Sequence, residues 1–254
     1  MDKDYPWSFK YFPNSKNPFI ISRSKIDLFL RCKRCAYLDM RLGIKGPKPF
    51  PYNLNSRIDT LLKNEFDVAR EKKEQTIYQK KAGVSSIPYY HPELHIWREP
   101  FKAARFHHQE TNITVCGSVD DLWQDINSKK ISVVDYKSTF NENFEKLKKF
   151  DAPYLIGYKR QAEIYLWILS NLGLDMNTTS YFFYVNAKKE QAIFENKLEF
   201  EWAIIPYHTE DYKWVDKTII DIKNFLETNK IPPSTAECDL CKYMSKFFDF
   251  IKNK

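Results

Sequence analysis

An aspartate and a lysine one residue apart, in Asp135-Tyr136-Lys137, close the β-branched run KISVVDYKS, and a further aspartate, Asp120, ends the upstream stretch Gly117-Ser118-Val119-Asp120. In an extended strand the middle residue of D-x-K points to the opposite face, so Asp135 and Lys137 project to the same side. The two β-branched runs are separated by INSKK, which predicts a tight turn and an antiparallel pair. Adjacent strands lie ~5 Å apart, so with a favourable register Asp120 and Asp135 can share a cation. Convergent carboxylates beside an ammonium group suit metal-dependent phosphodiester hydrolysis, in which acids hold a divalent ion and a cation steers the attacking water. An oxygen-only ligand set favours Mg²⁺ or Mn²⁺ over zinc. On the helix that follows, Gln161 and Tyr165 stand at i and i+4 and place an amide and a phenol on one face.

A second constellation is sulfur-based. Cys32-Lys33-Arg34-Cys35 lies near one end of the chain and Cys238-Asp239-Leu240-Cys241 near the other. Paired C-x-x-C motifs are a metal signature, and a shared centre would pin the first helix to the C-terminal tail. Iron–sulfur clusters and zinc both accept four thiolates, so the ligand type leaves the two open. Neither pair has the strand-to-helix setting of a redox C-x-x-C. Cys116 reads as a buried strand residue beside Gly117.

The elements that must position these groups can be drawn from periodicity. Ser22 and Ser24 cap a first helix carrying Ile26, Phe29, Leu30, Tyr37 and Leu38, which stops at Gly43. The Pro-rich GPKPFPYNLN is a loop, and Asn55 or Ser56 opens a second helix to about Lys73 whose inner stripe takes in Ile58, Leu61, Leu62, Glu65, Phe66 and Ala69. Residues 75–100 read as an irregular ordered connection. A helix ending at Gly173 follows the central strands, then the strands SYFFYVN and LEFEWAIIPY, a last long helix from about Asp211 to Asn229, and a short cysteine-bearing tail.

The chain has 254 residues, 43% of them hydrophobic, enough for one large core. With 6 Gly and 13 Pro against 19 Phe, 16 Tyr and 6 Trp it is neither a linker nor a low-complexity array. No run of ~18 apolar residues predicts a membrane span, and the start carries no secretory pattern, so a cytoplasmic protein is expected. Forty Lys and Arg against 33 Asp and Glu leave a net charge of +7, which suits an anionic partner. Lys72, Lys73, Lys80, Lys81, Lys146, Lys148, Lys149, Lys159 and Arg160 are candidates to follow a phosphate backbone, with Tyr154 and Tyr158 available to stack on unpaired bases. Trp97, Trp123, Trp167, Trp202 and Trp214 read as core, and His107-His108 as a flexible surface pair.

In Gly-x-x-Asp (Gly117 to Asp120), Asp-x-Lys (Asp135, Lys137) and Gln-x-x-x-Tyr (Gln161, Tyr165), in that order, the chain resembles the PD-(D/E)XK nuclease superfamily in its RecB-like branch, which includes CRISPR-associated RecB-like exonucleases and small stand-alone bacterial members. The likeness runs from about Ser22 to Cys241. It implies an α/β, restriction-endonuclease-like fold with a mixed central sheet flanked by helices, here with a cysteine metal clasp joining the termini. A single domain is expected, with a helical part over about 20–75, a catalytic core over about 100–230 and a tail over about 231–254. The resemblance further implies that Asp120, Asp135 and the Tyr136 backbone carbonyl hold Mg²⁺ or Mn²⁺, that Lys137 orients or activates water, and that Gln161 and Tyr165 line the site and contact the strand. RecB-like members carry a His in the first helical motif; here the matching place is Asp59, with Glu65 as the alternative acid. The two lie about 240° apart around a helix and cannot face one ion together. Iron–sulfur relatives offer one N-terminal and three C-terminal cysteines, the last falling here at Phe247; Cys35 would compensate for a [4Fe–4S] cluster, with a structural Zn²⁺ as the alternative.

The expected function is therefore metal-dependent hydrolysis of single- or double-stranded DNA, exonucleolytic or endonucleolytic, with possible protein partners in a DNA-processing pathway. Two other classes are a nuclease-fold nucleic-acid-binding module without catalysis and a cysteine-metal protein-interaction domain.

Overall fold

The computed structural model describes residues 10–47, 52–209 and 211–253. The first nine residues, read above for a leader, and positions 48–51 of the Pro-rich loop lie outside the described residues. In chain order the elements are β1 (Phe19–Ser22), α1 (Arg23–Arg31), α2 (Lys33–Met40), α3 (Asn53–Lys72), α4 (Ile77–Lys81), β2 (Ser86–Pro88), α5 (Leu94–Trp97), β3 (Ala104–His108), β4 (Ile113–Gly117), β5 (Asp121–Asp125), β6 (Ile131–Thr139), α6 (Phe144–Leu147), α7 (Ile156–Asn171), β7 (Thr179–Ala187), β8 (Phe200–His208), α8 (Trp214–Glu227) and α9 (Asp239–Lys252). The described residues form two compact units, one drawn from within 1–49, 105–116 and 213–254, the other from within 50–104 and 117–212.

The larger unit is built on the mixed sheet β2-β5-β6-β7-β8. β5 and β6 pair antiparallel around the expected turn, with Asp121 opposite Val134. β6 and β7 pair parallel. Parallel neighbours need a crossover, and α7 provides it, ending as expected at Gly173 with φ +91°. β8 returns antiparallel to β7. Side chains alternate across this sheet. Trp123, Val134, Tyr136, Phe183 and Val185 pack against Leu62 and Phe66 of α3. Phe182 and Tyr184 pack in a second cluster with Ala162 of α7 and with Phe144, Leu147, Phe150 and Leu155. Phe66 stacks on Trp123 at 5.2 Å between ring centroids and 8° between planes, and both are fully buried. Burying such side chains is worth roughly 1.5–3 kcal/mol each. The mixed sheet with flanking helices is the architecture expected.

Several sequence expectations give way to tertiary packing. Asn55 and Ser56 do not open α3, which begins at Asn53. Its buried face is Leu62, Phe66, Ala69 and Arg70, so Leu61 and Glu65 are exposed. The connection 75–100 contains α4, opened by a Thr76–Gln79 capping box, then edge strand β2 and the short α5. The long β-branched run is not one strand, because the chain bends through Ser118–Asp120 and enters a different sheet on each side.

The smaller unit carries the sheet β1-β4-β3, in which β1 pairs parallel with β4 and Ile21 faces Val115. Its core joins α1 and α2 to α8: Phe225 meets Phe29 and Tyr37 edge-on at 5.2 and 5.5 Å. The expected first helix is two helices, because Cys32 adopts an extended conformation (φ −153°, ψ 106°) and becomes the N-cap of α2. Ser22 stands at the N-cap of α1, but its hydroxyl pairs with that of Ser24, 2.7 Å away, and caps no backbone amide. His107 and His108 lie in β3 and are held by Thr114 and Thr111, at 3.1 and 2.9 Å, in place of a flexible pair. The tail after Pro233 folds into the 14-residue α9. Among the described residues no helix is long and apolar enough to cross a membrane.

Gly117, where the long run bends, has the Tyr165 ring where a side chain would stand: an added Cβ would meet Tyr165 Cδ1 at 2.7 Å. A Gly117→Ala exchange should therefore cost about 1–3 kcal/mol through overpacking, measured as a lowered urea midpoint with unchanged slope.

Candidate metal-dependent active site

One cleft of about 620 Å³ in the larger unit is lined by Asp59 from α3, Asp120, Asp135, Tyr136 and Lys137 from β5–β6, and Gln161, Tyr165 and Tyr158 from α7. The β5–β6 register sets its centre: Asp120 precedes β5 and falls beside Asp135 and Tyr136 of β6. Asp120 Oδ2 accepts a hydrogen bond from the Tyr136 amide at 3.0 Å. Asp135, 3% exposed, accepts from Gln161 Nε2 through Oδ1 at 2.6 Å and is ion-paired through Oδ2 with Lys137 Nζ. The same Gln161 nitrogen donates to the Tyr165 hydroxyl at 3.1 Å. Asp135, Lys137, Gln161 and Tyr165 thus share one face because strand alternation and a helical i, i+4 spacing meet there.

The two candidate acids of α3 part company. Asp59 lines the cleft, whereas Glu65 lies on the exposed side and accepts a hydrogen bond from Tyr78 at 3.2 Å. Lys63, one turn beyond Asp59, donates to Asp59 Oδ2 at 2.8 Å and to Asp120 Oδ1 at 3.1 Å. Burial, then the neighbouring Asp120 charge, holds the Asp59 carboxyl above the usual carboxylate range despite Lys63. Burial works against the Lys63 ammonium, but the Asp120 charge and the Asp59 bond outweigh it and its pKa is raised.

Beneath this cleft lies a polar network for which no motif was read. Asp121, fully buried, is ion-paired with Arg70 and Arg98, the latter at 3.3 Å, and accepts from Tyr136 OH at 2.6 Å and from the Leu122 amide at 2.8 Å. Arg98 Nε also donates to the Asp120 carbonyl at 2.9 Å, and its Nη1 to Asp67 at 2.6 Å. Burial, then Asp121's charge and hydrogen bond, holds the Tyr136 phenol well above its usual pKa, so it stays a donor. The alternation that turns Asp135 and Lys137 to the cleft turns Tyr136 to Asp121. The doublet Asp120-Asp121 was the available sequence signal: two adjacent acids on a half-buried strand cannot both face solvent. For Lys63 the signal was its i+4 spacing from Asp59.

A family model for the PD-(D/E)XK nuclease superfamily matches residues 20–245. The chain belongs to the PD-(D/E)XK nuclease superfamily. No curated protein matches it. Among solved structures, the crystal structure of SSO0001 aligns at 13% identity with a TM-score of 0.35, over 92% of this chain and 87% of that one. PD-(D/E)XK nucleases use divalent metals, and the cleft has donors suited to one: Asp59, Asp120 and Asp135 are hard oxygen ligands. Gln161 Oε1 is moreover buried there with no hydrogen-bond partner.

This PD-(D/E)XK chain has a second centre in its smaller unit. Cys32, Cys35, Cys238 and Cys241 bring their sulfurs within 4.8 Å of one another. Cys32–Cys241, Cys35–Cys238 and Cys35–Cys241 are each 3.6 Å apart. Leu28 and Leu240 wall the group. Cys32's position as N-cap brings the Cys35 amide to its sulfur at 3.5 Å. Burial resists the Cys32 thiolate, but hydrogen bonds from Thr235, the Cys35 amide and the Cys35 thiol lower its pKa to about 6. Burial raises the Cys35 and Cys241 thiols. Cys116, half-buried, is not part of the group.

Removing the charge of Asp121 leaves two arginines facing a neutral group inside the fold. We expect Asp121→Asn to cost about 3–5 kcal/mol in urea unfolding, and Glu65→Gln, on the exposed face, less than about 0.5 kcal/mol.

Proposed function

We propose that this protein is a RecB-like, Mg²⁺- or Mn²⁺-dependent deoxyribonuclease acting at the Asp59–Asp120–Asp135 cleft, on single- or double-stranded DNA. The observation that carries the proposal is the convergence of Asp120, Asp135 and Lys137 across one antiparallel register, with Gln161 braced on Asp135. Asp120 and Asp135 hold the ion, joined by Asp59 and the Tyr136 carbonyl. When bound, the ion supplies Lewis-acid stabilisation of the charge that develops on phosphorus-bound oxygen. Lys137 Nζ, paired with Asp135 and 4.7 Å from the Tyr158 ring centroid, orients the attacking water beside the carboxylate. Gln161 fixes the Asp135 rotamer through Oδ1 and presents its unpaired Oε1. Exposed Tyr52 and half-buried Tyr158 line the same cleft and offer faces for unpaired bases. A non-catalytic nucleic-acid-binding module is the second reading, favoured by one observation: Lys63 is already ion-paired with both Asp59 and Asp120.

For the cysteine centre the spacing supports one tetrahedral ion, with zinc as the best fit. A tetrahedron with Zn–S arms of 2.3 Å has edges of about 3.8 Å, close to the 3.6 Å found. A [4Fe–4S] cluster, the expectation from the resemblance, places four irons and four sulfides between its thiolates, and sulfurs already in van der Waals contact would have to spread to admit it.

Two measurements test these readings. With end-labelled single- and double-stranded DNA and Mg²⁺ or Mn²⁺, wild type should cut, and Asp135→Ala and Lys137→Ala should each lose at least about 100-fold in rate; salt-sensitive binding without cutting would establish the second reading. Elemental analysis of anaerobically purified protein should find one zinc per chain and no iron-sulfide colour, and Cys35→Ser should lose the ion.

A further inference from the structure

Lys63 is absent from the motifs that define the cleft, yet it is hydrogen-bonded to two of the three carboxylates proposed to hold the metal. Its Nζ lies 2.8 Å from Asp59 Oδ2 and 3.1 Å from Asp120 Oδ1, and its side chain is 17% exposed. The other oxygen of Asp120 is taken by the Tyr136 amide at 3.0 Å. Both Asp120 oxygens are therefore engaged within the protein. Asp135 is likewise neutralised, by Lys137, so the three acids of the cleft face two ammonium groups.

We infer that Lys63 is a built-in counter-ion that holds Asp59 and Asp120 together without metal and must release Asp120 Oδ1 when a divalent cation binds. The inference rests on the proposed reading of the cleft as a metal site. Its physical basis is competition. Two half-buried carboxylates repel one another unless a cation stands between them, and a cation hydrogen-bonded to both does so. A divalent ion seeking the same oxygen meets a positive charge at hydrogen-bond distance, and part of its binding free energy goes into displacing it. Release is local, because Lys63 keeps its bond to Asp59 one helical turn away on a long, flexible stem. Lys63 is in this sense a positioning residue: it tunes how tightly the cleft takes its ion and keeps the acids preorganised when the ion has left.

The test uses the full chain with its cysteine centre loaded and Mn²⁺ as the probe, free ion being counted by electron paramagnetic resonance. Thermal midpoints are recorded with and without Mn²⁺. Lys63→Met should bind Mn²⁺ on the order of tenfold more tightly than wild type, and Mn²⁺ should raise its midpoint by more. Lys63→Arg, which keeps the charge, should show no such gain and checks that the Met variant's gain comes from lost charge. Asp120→Asn should lose Mn²⁺. If Asp120→Asn loses the ion while Lys63→Met binds it no more tightly than wild type, the counter-ion inference is overturned and the metal-site reading stands. Slower cleavage in Lys63→Met with unchanged Mn²⁺ affinity would overturn it too, by making Lys63 part of the reaction chemistry. If Asp120→Asn binds Mn²⁺ as wild type does, the cleft is not the metal site and both fall.

Discussion

A single buried carboxylate carries much of the larger unit's order. Asp121 has no solvent, and its charge is tolerated only because Arg70, Arg98, Tyr136 and a backbone amide surround it. An ion buried without such partners would cost several kcal/mol, so losing any one of them is expensive. Arg70 comes from α3, Arg98 follows α5, Tyr136 comes from β6 and Asp121 opens β5. Satisfying one charge therefore brings four segments into mutual register. The residues proposed for chemistry are immediate neighbours of these anchors: Asp120 of Asp121, Asp135 and Lys137 of Tyr136. Arg98 also binds the Asp120 carbonyl directly.

Electrostatics in the cleft follow from the same arrangement. Strand alternation separates two polar layers, one centred on the fully buried Asp121 and internally satisfied, and a half-open one whose acids face lysines. The half-open layer keeps solvent access and flexible ammonium stems, as the proposed exchange of its pairs for a divalent ion requires. The buried layer has planar guanidinium groups whose rigid fork suits carboxylates. Lysine in the cleft and arginine beneath it is a division that matches the two tasks.

The smaller unit solves a different problem. α9 has little apolar burial of its own, with Cys241 its buried residue. Its Cys238 and Cys241 end lies where the four sulfurs come within 4.8 Å of one another. Breaking the first helix at Cys32 is the local cost of that geometry, since a continuous helix would not place the Cys32 sulfur at the Cys35 amide.

Much of this was legible in the sequence, because period and spacing are local properties. The strands KISVVDYKS and SYFFYVN, the helix ending at Gly173 and the shared face of Asp135 and Lys137 follow from alternation, helical repeat and turn chemistry, and the meeting of the Cys-x-x-C motifs from ligand spacing. Which of Asp59 and Glu65 faces the cleft did not, since both fit the pattern. The packing of α3 decides that, with Phe66 stacked on Trp123, a residue distant in the chain. The bend at Ser118–Asp120 was likewise hidden, because a β-branched run looks the same whether one sheet or two receive it. Arg70 and Arg98 carried no motif at all, and Lys63 only its spacing from Asp59. A lysine or arginine on a helix reads as a solvated face until the fold brings a carboxylate from another element against it, and only tertiary structure decides which cations have such a partner.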